Sequence, residues 1–342
     1  MPASGRRECF SHSWKYWGIA RKKQWYCCLC HSSAPSYYRC LECLQYRCAD
    51  CAVSDSPSSL HIASHSVSWG TSGWVANSRT LFAEHGFVVI SHVLTSDQQR
   101  AVLKDCEIVA KDIVGSECDG NRGPGRYSFG VASSTGSMLH LESFAKHLLN
   151  GACSKLHPLL QQIFEGGRRP GFICTGSGGD FVVGGTASDQ AIHSDVQVRR
   201  DDDVWLPPPF LSINFTVHEV TGMNGPIRLI PGTQLERGCV PDQIPDRWLR
   251  SRLCPVPPGA AIIRDVRTLH GGTRNLTQIT RYLPSVEFAS ADFRSTNRRD
   301  CFPPYRSLPK DFYECLHPQI KDLCTDIVAA NRSLVRPTYT MS

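Results

Sequence analysis

Hydrophobic positions follow two patterns along the chain, helix-like spacing first and short apolar runs later. Between Asn77 and Ile113 the stretch NSRTLFAEHGFVVISHVLTSDQQRAVLKDCEIVAKDI predicts three elements. These are a short helix ending near Gly86, an apolar strand from Phe87 to Ile90, and a longer helix with Thr95 as its N-cap. Residues 141–164 predict another amphipathic helix, interrupted around Asn150 and Gly151. After Gly171 the period shortens. Apolar segments at Phe181 to Val183, Leu211 to Val217, Ile227 to Ile230 and Ala260 to Ile263 are separated by Gly, Pro and Asn. Helices in front and many short strands behind predict a mainly β domain, an antiparallel sandwich or barrel with flanking helices. No internal repeat is present.

Upstream of residue 77 the texture is different. Residues 1–24 form a basic extension whose one acid is Glu8, and they lack the apolar core of a secretory signal. A mitochondrial presequence stays open as an alternative to the cytoplasm or nucleus. Residues 66–78, SVSWGTSGWVANS, are rich in Ser and Gly, and 69–78 reads as a linker to a domain running from 79 to 342. At 342 residues, with 41% hydrophobic and 20% charged residues, the chain is long enough for one large soluble domain and a small one. No apolar run approaches the length of a membrane span. The net charge of +6 is spread out and forms no basic stripe, so nucleic acid is not an expected partner.

Cysteine changes the picture most. Of 17 cysteines, eight lie within the first 51 residues. The segment 25–68 contains Cys27-x2-Cys30, Cys40-x2-Cys43, Cys48-x2-Cys51 and His61-x3-His65, eight potential ligands in four pairs and enough for two tetrahedral zinc sites. So short a segment cannot bury a sufficient core, so zinc would supply much of its folding energy. The pattern resembles the B-box and ZZ class of cross-brace zinc fingers. That resemblance implies one zinc on Cys27, Cys30, Cys48 and Cys51, and a second on Cys40, Cys43, His61 and His65. ZZ fingers that grip peptide N-termini carry acidic residues where this chain has Cys28, Leu44 and Gln45. The resemblance therefore implies a structural, zinc-stapled module that binds another protein or another part of this chain.

The candidate chemistry of the larger domain begins at IHSDVQ, where His193 and Asp195 stand two residues apart. In extended backbone, residues i and i+2 project to one side, so both can reach one ion. His270, in RTLHGGTRNLTQITR, supplies a third ligand. Two histidines and a carboxylate on one face of an ion leave open positions, the arrangement of non-haem Fe(II) oxygenases. Arg281 stands eleven residues beyond His270. A guanidinium inside a barrel is costly unless a carboxylate meets it, which a cosubstrate carboxylate would do.

From about residue 79 to 288 the chain resembles the phytanoyl-CoA dioxygenase family of Fe(II)/2-oxoglutarate oxygenases, on LFAEHGFVVISHVLTSDQ, QAIHSDVQ, NGPIRLIPGTQ and RTLHGGTRNLTQITR. The resemblance implies a double-stranded β-helix of jelly-roll or cupin type. It implies iron on His193, Asp195 and His270, and 2-oxoglutarate held by Arg281. O2 would be the oxidant, and C–H hydroxylation would release succinate and CO2. Halogenating relatives have a small residue where Asp195 stands, so the carboxylate favours hydroxylation. Two positions depart from the family: Asn214 replaces a pocket tryptophan, and Gly272 replaces a hydroxyl-bearing residue two after the distal histidine. A second cosubstrate contact is expected among Asn214, Thr216 and Gln190. Arg126, in GRYSFG, reads equally as a substrate contact or a plain sheet residue. The substrate would be a small molecule or acyl compound. The alternative is an interaction protein whose finger recruits partners while the oxygenase fold is a silent scaffold.

Overall fold

The computed structural model describes residues 62–116, 120–133, 136–167, 171–196, 207–235, 256–291 and 307–329, together with the backbone of 24–26 and 33–35. The last two stretches are β1 (Gln24–Tyr26) and β2 (Ser33–Pro35), an antiparallel pair. Seven of the eight expected zinc ligands, Cys27, Cys30, Cys40, Cys43, Cys48, Cys51 and His61, lie outside the described residues.

The main sheet starts earlier than composition suggests. A 3-10 turn, Ile62–His65, leads into β3 (Ser66–Ser68), and helix α1 (Trp74–His85) follows after a tight turn. β3 pairs in parallel with β4 (Phe87–Ser91), and Ile62 is buried with Phe87 and Val89. Part of the stretch read as a linker is therefore the first turn of α1, and residues 62–68 are built into the larger domain's sheet. Serine and glycine here serve turns and a short edge strand, which composition alone cannot distinguish from a linker.

Helix α2 (Ser96–Ser116) begins as expected at Thr95. The Gln98 amide donates to Thr95 Oγ1 while Thr95 N–H donates to Gln98 Oε1, a reciprocal cap. Its buried residues Val102, Cys106, Val109, Ala110 and Ile113 recur at helical spacing and face the core. The helix expected to break at Asn150 and Gly151 does not break. It widens into a π-helical stretch, Phe144–Ala152, and continues as α3 (Cys153–Ile163). Pro158 inside α3 cannot donate to the Ser154 carbonyl, and Gln319 Nε2 donates to that oxygen instead at 3.0 Å.

The remaining strands are β5 (Arg126–Gly130), β6 (Phe172–Val182), β7 (Phe210–Phe215), β8 (Ile227–Leu229), β9 (Ala261–Asp265), β10 (His270–Gly272) and β11 (Arg281–Ser290). The large sheet has the order β3-β4-β9-β7-β11-β6-β5, and β10 pairs with β8 in a smaller one. Only the run Phe181 to Val183, which shares two residues with the end of β6, signalled this strand, because TGSGG in its middle reads as a loop. A Cβ on Gly179 would lie 2.5 Å from the Leu283 carbonyl, so glycine permits the close approach of β11. Helices α2 and α3 and the π-helical stretch cover one face of the large sheet with a continuous apolar core. The other face carries a second apolar cluster around Phe87, Val89, Ile262 and Leu283 and, beside it, lines a cavity of about 370 Å3 with polar side chains. This mainly β core with flanking helices agrees with the expected fold class. Two short helices, α4 (Lys310–Glu314) and α5 (Pro318–Lys321), follow. Among the described residues no helix is long and apolar enough to cross a membrane.

Candidate active site

Strand register decides what faces the cavity. Opposed residues of antiparallel strands project to the same face. Along β11, Leu283, Ser285 and Glu287 face inward; Asp180 and Gly178 of β6 oppose the first two. Asn214 and Ser212 of β7 oppose Ser285 and Glu287 on the other side, and Arg264 of β9 opposes Ser212.

His193 and His270 form an isolated bridge, each donating its backbone N–H to the other's carbonyl at 2.9 Å. Asp195 N–H donates to Val266 O, bringing the carboxylate to the same mouth. The Nε2 atoms of His193 and His270 each lie 3.6 Å from Asp195 Oδ1, and one ligand atom from each residue falls within 4.8 Å of the others. His193 Nδ1 lies 3.0 Å from Ala191 O, and His270 Nδ1 2.9 Å from Thr268 O. Each Nδ1–H therefore donates to a backbone carbonyl, leaving both Nε2 lone pairs aimed at a common point. The three residues could hold one divalent metal on one face.

Arg264 was not anticipated. Its Nη1 donates to Asp195 Oδ2 at 2.9 Å, orienting the carboxylate so that Oδ1 faces the histidines. Burial, the largest influence on Asp195, opposes its ionisation, but the charges of Arg264, His270 and His193 and the Arg264 hydrogen bond together outweigh it and hold the carboxyl well below the usual range. Burial and then Arg264 push His270 down to about 3, so the imidazole is neutral and able to ligate at neutral pH. An arginine at the end of the apolar run AAII, six residues before a candidate ligand, was the available signal.

Arg281 is only 1% exposed. Its Nη1 pairs with Asp180 Oδ1 at 3.0 Å and its Nε donates to Gly225 O at 2.8 Å. Its Nη2 is buried without a hydrogen-bond partner among the described residues. The expected arginine thus already meets a protein carboxylate, one that sequence reading missed, and retains an unused donor for a second. Asn214 and Gln190, two of the candidate cosubstrate contacts, line the cavity. Gln190 Oε1 accepts from Gly272 N at 3.1 Å. Thr216 does not reach it. The Thr216 hydroxyl donates to Pro257 O and accepts from Ala260 N, closing the turn before β9, because the chain leaves the sheet after Phe215. His65 is buried in the larger domain, its ring stacked on Phe87 at 5.0 Å and 4.4 Å from His85.

Glu287 also lines the cavity, with Oε1 accepting from Ser212 Oγ at 2.9 Å and Ser285 Oγ at 3.0 Å. Burial pushes its carboxyl up to about 7, against the opposing charge of Arg264. The folded protein therefore holds a proton that the unfolded chain releases between about pH 4.5 and 7, and this group's contribution to stability falls as pH rises through that window. Glu287→Gln is expected to raise the thermal midpoint relative to wild type more at about pH 8 than at about pH 5. A difference independent of pH would refute this account.

The family pattern of phytanoyl-CoA dioxygenase (PhyH) matches residues 82–282, more than half of the chain, and the class defined is an oxygenase-type enzyme. The chain belongs to the phytanoyl-CoA dioxygenase family. Among solved structures it is similar to EctD from S. alaskensis with 2-oxoglutarate and 5-hydroxyectoine, at 18% identity, 75% coverage of this chain and 86% of that one, and TM-score 0.49. HygX from Streptomyces hygroscopicus with nickel and 2-oxoglutarate bound matches at 15% identity, 62% and 85% coverage, and TM-score 0.45. EvdO2 from Micromonospora carbonacea var. aurantiaca complexed with 2-oxoglutarate matches at 16% identity, 63% and 90% coverage, and TM-score 0.42. No curated protein matches the chain.

Proposed function

We propose that the protein is an Fe(II)- and 2-oxoglutarate-dependent dioxygenase that hydroxylates a C–H bond of a small organic or acyl substrate. The observation that carries this is the convergence of His193 Nε2, His270 Nε2 and Asp195 Oδ1 beside a cavity lined by Asp180, whose carboxylate pairs with Arg281, a buried side chain that keeps one donor without a hydrogen-bond partner among the described residues. Bound iron would supply O2 activation coupled to decarboxylation of 2-oxoglutarate to succinate and CO2. The chain's own residues bind and orient. His193 and His270 present their Nε2 atoms, and Asp195 supplies the anionic ligand with Arg264 fixing its rotation. Arg281 offers Nη2 to the distal carboxylate of the cosubstrate. The cavity volume lies toward the lower end of small-molecule pockets, roughly 300–1,000 Å3. Anaerobic addition of Fe(II) and then 2-oxoglutarate should produce a weak visible charge-transfer band, followed by succinate on admitting oxygen. Absence of both refutes the proposal and leaves the scaffold reading.

Arg264→Gln is expected to lower metal affinity by about 10- to 100-fold, the usual effect of losing a group that orients a ligand. Calorimetric titration with Ni(II) measures it, and unchanged affinity would show that Arg264 does not position Asp195.

The N-terminal zinc module belongs to the same proposal, on the spacing of its four pairs. One zinc would sit on Cys27, Cys30, Cys48 and Cys51, and the other on Cys40, Cys43, His61 and His65. Protein purified without chelator should contain about two zinc ions per chain. Cys40→Ser should lose one of them, and a zinc content unaltered by that change would exclude the second site. A module of this kind offers a surface for a protein partner.

A further inference from the structure

The absence of a hydroxyl side chain at Gly272 has a structural counterpart across the cavity. A Cβ built on Gly272 would lie 2.5 Å from Nη1 of Arg126, so the arginine occupies the space that a side chain at 272 would take. We propose that Arg126 is the second anchor for the distal carboxylate of a 2-oxo dicarboxylate, in the place of that hydroxyl, and that residue 272 is glycine to admit it. The proposal rests on the cosubstrate reading above and names a specificity-determining residue for it.

Register supports a shared site. Arg126 of β5 and Arg281 of β11 both oppose Val182 of β6, so the two arginines stand on one rung and one face of the sheet. Their strands are two spacings apart, roughly 10 Å at the backbone, within convergence distance for two long side chains. Asp180 is on the same face of the intervening strand, one rung along. Arg126 is 5% exposed and lines the cavity. Its Nη2 donates to the carbonyls of Ser188 and Thr273, which fixes the plane of the guanidinium. Its Nε is buried without a hydrogen-bond partner among the described residues, as is Nη2 of Arg281.

Charge accounting points the same way. The interacting charges around Arg126 are Arg281, Asp180, Asp189 and Arg274, so three guanidiniums face two carboxylates. Arg274 pairs with Asp189 at 3.1 Å and Arg281 with Asp180 at 3.0 Å, so each carboxylate already has a guanidinium partner besides Arg126. A buried cation without a counter-ion is costly, and one additional carboxylate would neutralise the cluster while meeting both unused donors. Burial and then the Arg281 charge push Arg126 down to about 10, against the opposing charges of Asp180 and Asp189.

Two guanidiniums make the cavity selective for a dicarboxylate. The test is calorimetric titration of the full chain loaded with Ni(II), using 2-oxoglutarate and 2-oxopentanoate, which has a methyl group in place of the distal carboxylate. Arg126→Ala should weaken 2-oxoglutarate about 30-fold and leave 2-oxopentanoate within about threefold of wild type. Gly272→Ser in the wild-type background should also weaken 2-oxoglutarate, by displacing the guanidinium. In the Arg126→Ala background, Gly272→Ser should restore part of the affinity. Arg126→Lys, which keeps a charge, should recover part of the discrimination and serves if the alanine variant does not fold. Equal weakening of both ligands, or none, with wild type binding 2-oxoglutarate, overturns the Arg126 assignment alone. Wild-type protein that binds neither ligand overturns the cosubstrate reading and this assignment with it.

Discussion

Asp195→Ala is expected to abolish succinate formation and to lower metal affinity by more than about 100-fold, exceeding the usual loss from an outer-shell partner because a direct ligand is removed. The substitution deletes the only anionic member of the triad and leaves two neutral imidazoles to hold a divalent cation. It also strands Arg264, whose Nη1 then points a positive charge at the metal position from a side chain only 7% exposed. Asp195→Asn would keep the shape and lose the charge, so it should fall with alanine if charge is what matters. Metal content and turnover read the effect together. Either variant retaining wild-type turnover would sink the iron assignment.

Arg281→Ala carries the second-largest expectation, a loss of about 100-fold in affinity for 2-oxoglutarate, the scale for removing one partner of a buried charged pair. Arg281→Lys should not rescue it, because an ammonium cannot reproduce the forked contact to Asp180, Gly225 O and a second carboxylate. The stability cost should be smaller. Asp180 is 38% exposed, so water can solvate its carboxylate once the arginine is gone. Arg281→Ala combined with Asp180→Asn should therefore recover thermal stability without recovering affinity. Affinity unchanged in Arg281→Ala would assign this arginine to the fold alone.

Much of the helical framework was legible in the chain, because its signals are local. The cap at Thr95 and the spacing of Val102, Cys106, Val109 and Ile113 are read within a few residues. Residues 66–78 were misread as a linker for the same reason. Their serines and glycines support β3 and the turn into α1 only because β4 lies alongside, about 20 residues later. Likewise TGSGG becomes the middle of an eleven-residue strand because β11 approaches it closely, a contact the glycines permit but do not announce.

The site divides along the same line. By itself the sequence determined which residues can ligate: His193 and Asp195 declare themselves by a two-residue spacing in extended backbone, and His270 and Arg281 by the motif around them. Only the tertiary structure decided what those residues meet. Arg264 reaches Asp195 across 69 positions, Arg281 reaches Asp180 across 101, and Arg126 reaches the carbonyl of Thr273 across 147. Each pairing depends on strand register in the seven-stranded sheet, which is set by the packing of all the strands together. The same register carries Thr216 out of the cavity and brings Arg126 into the space that Gly272 leaves open.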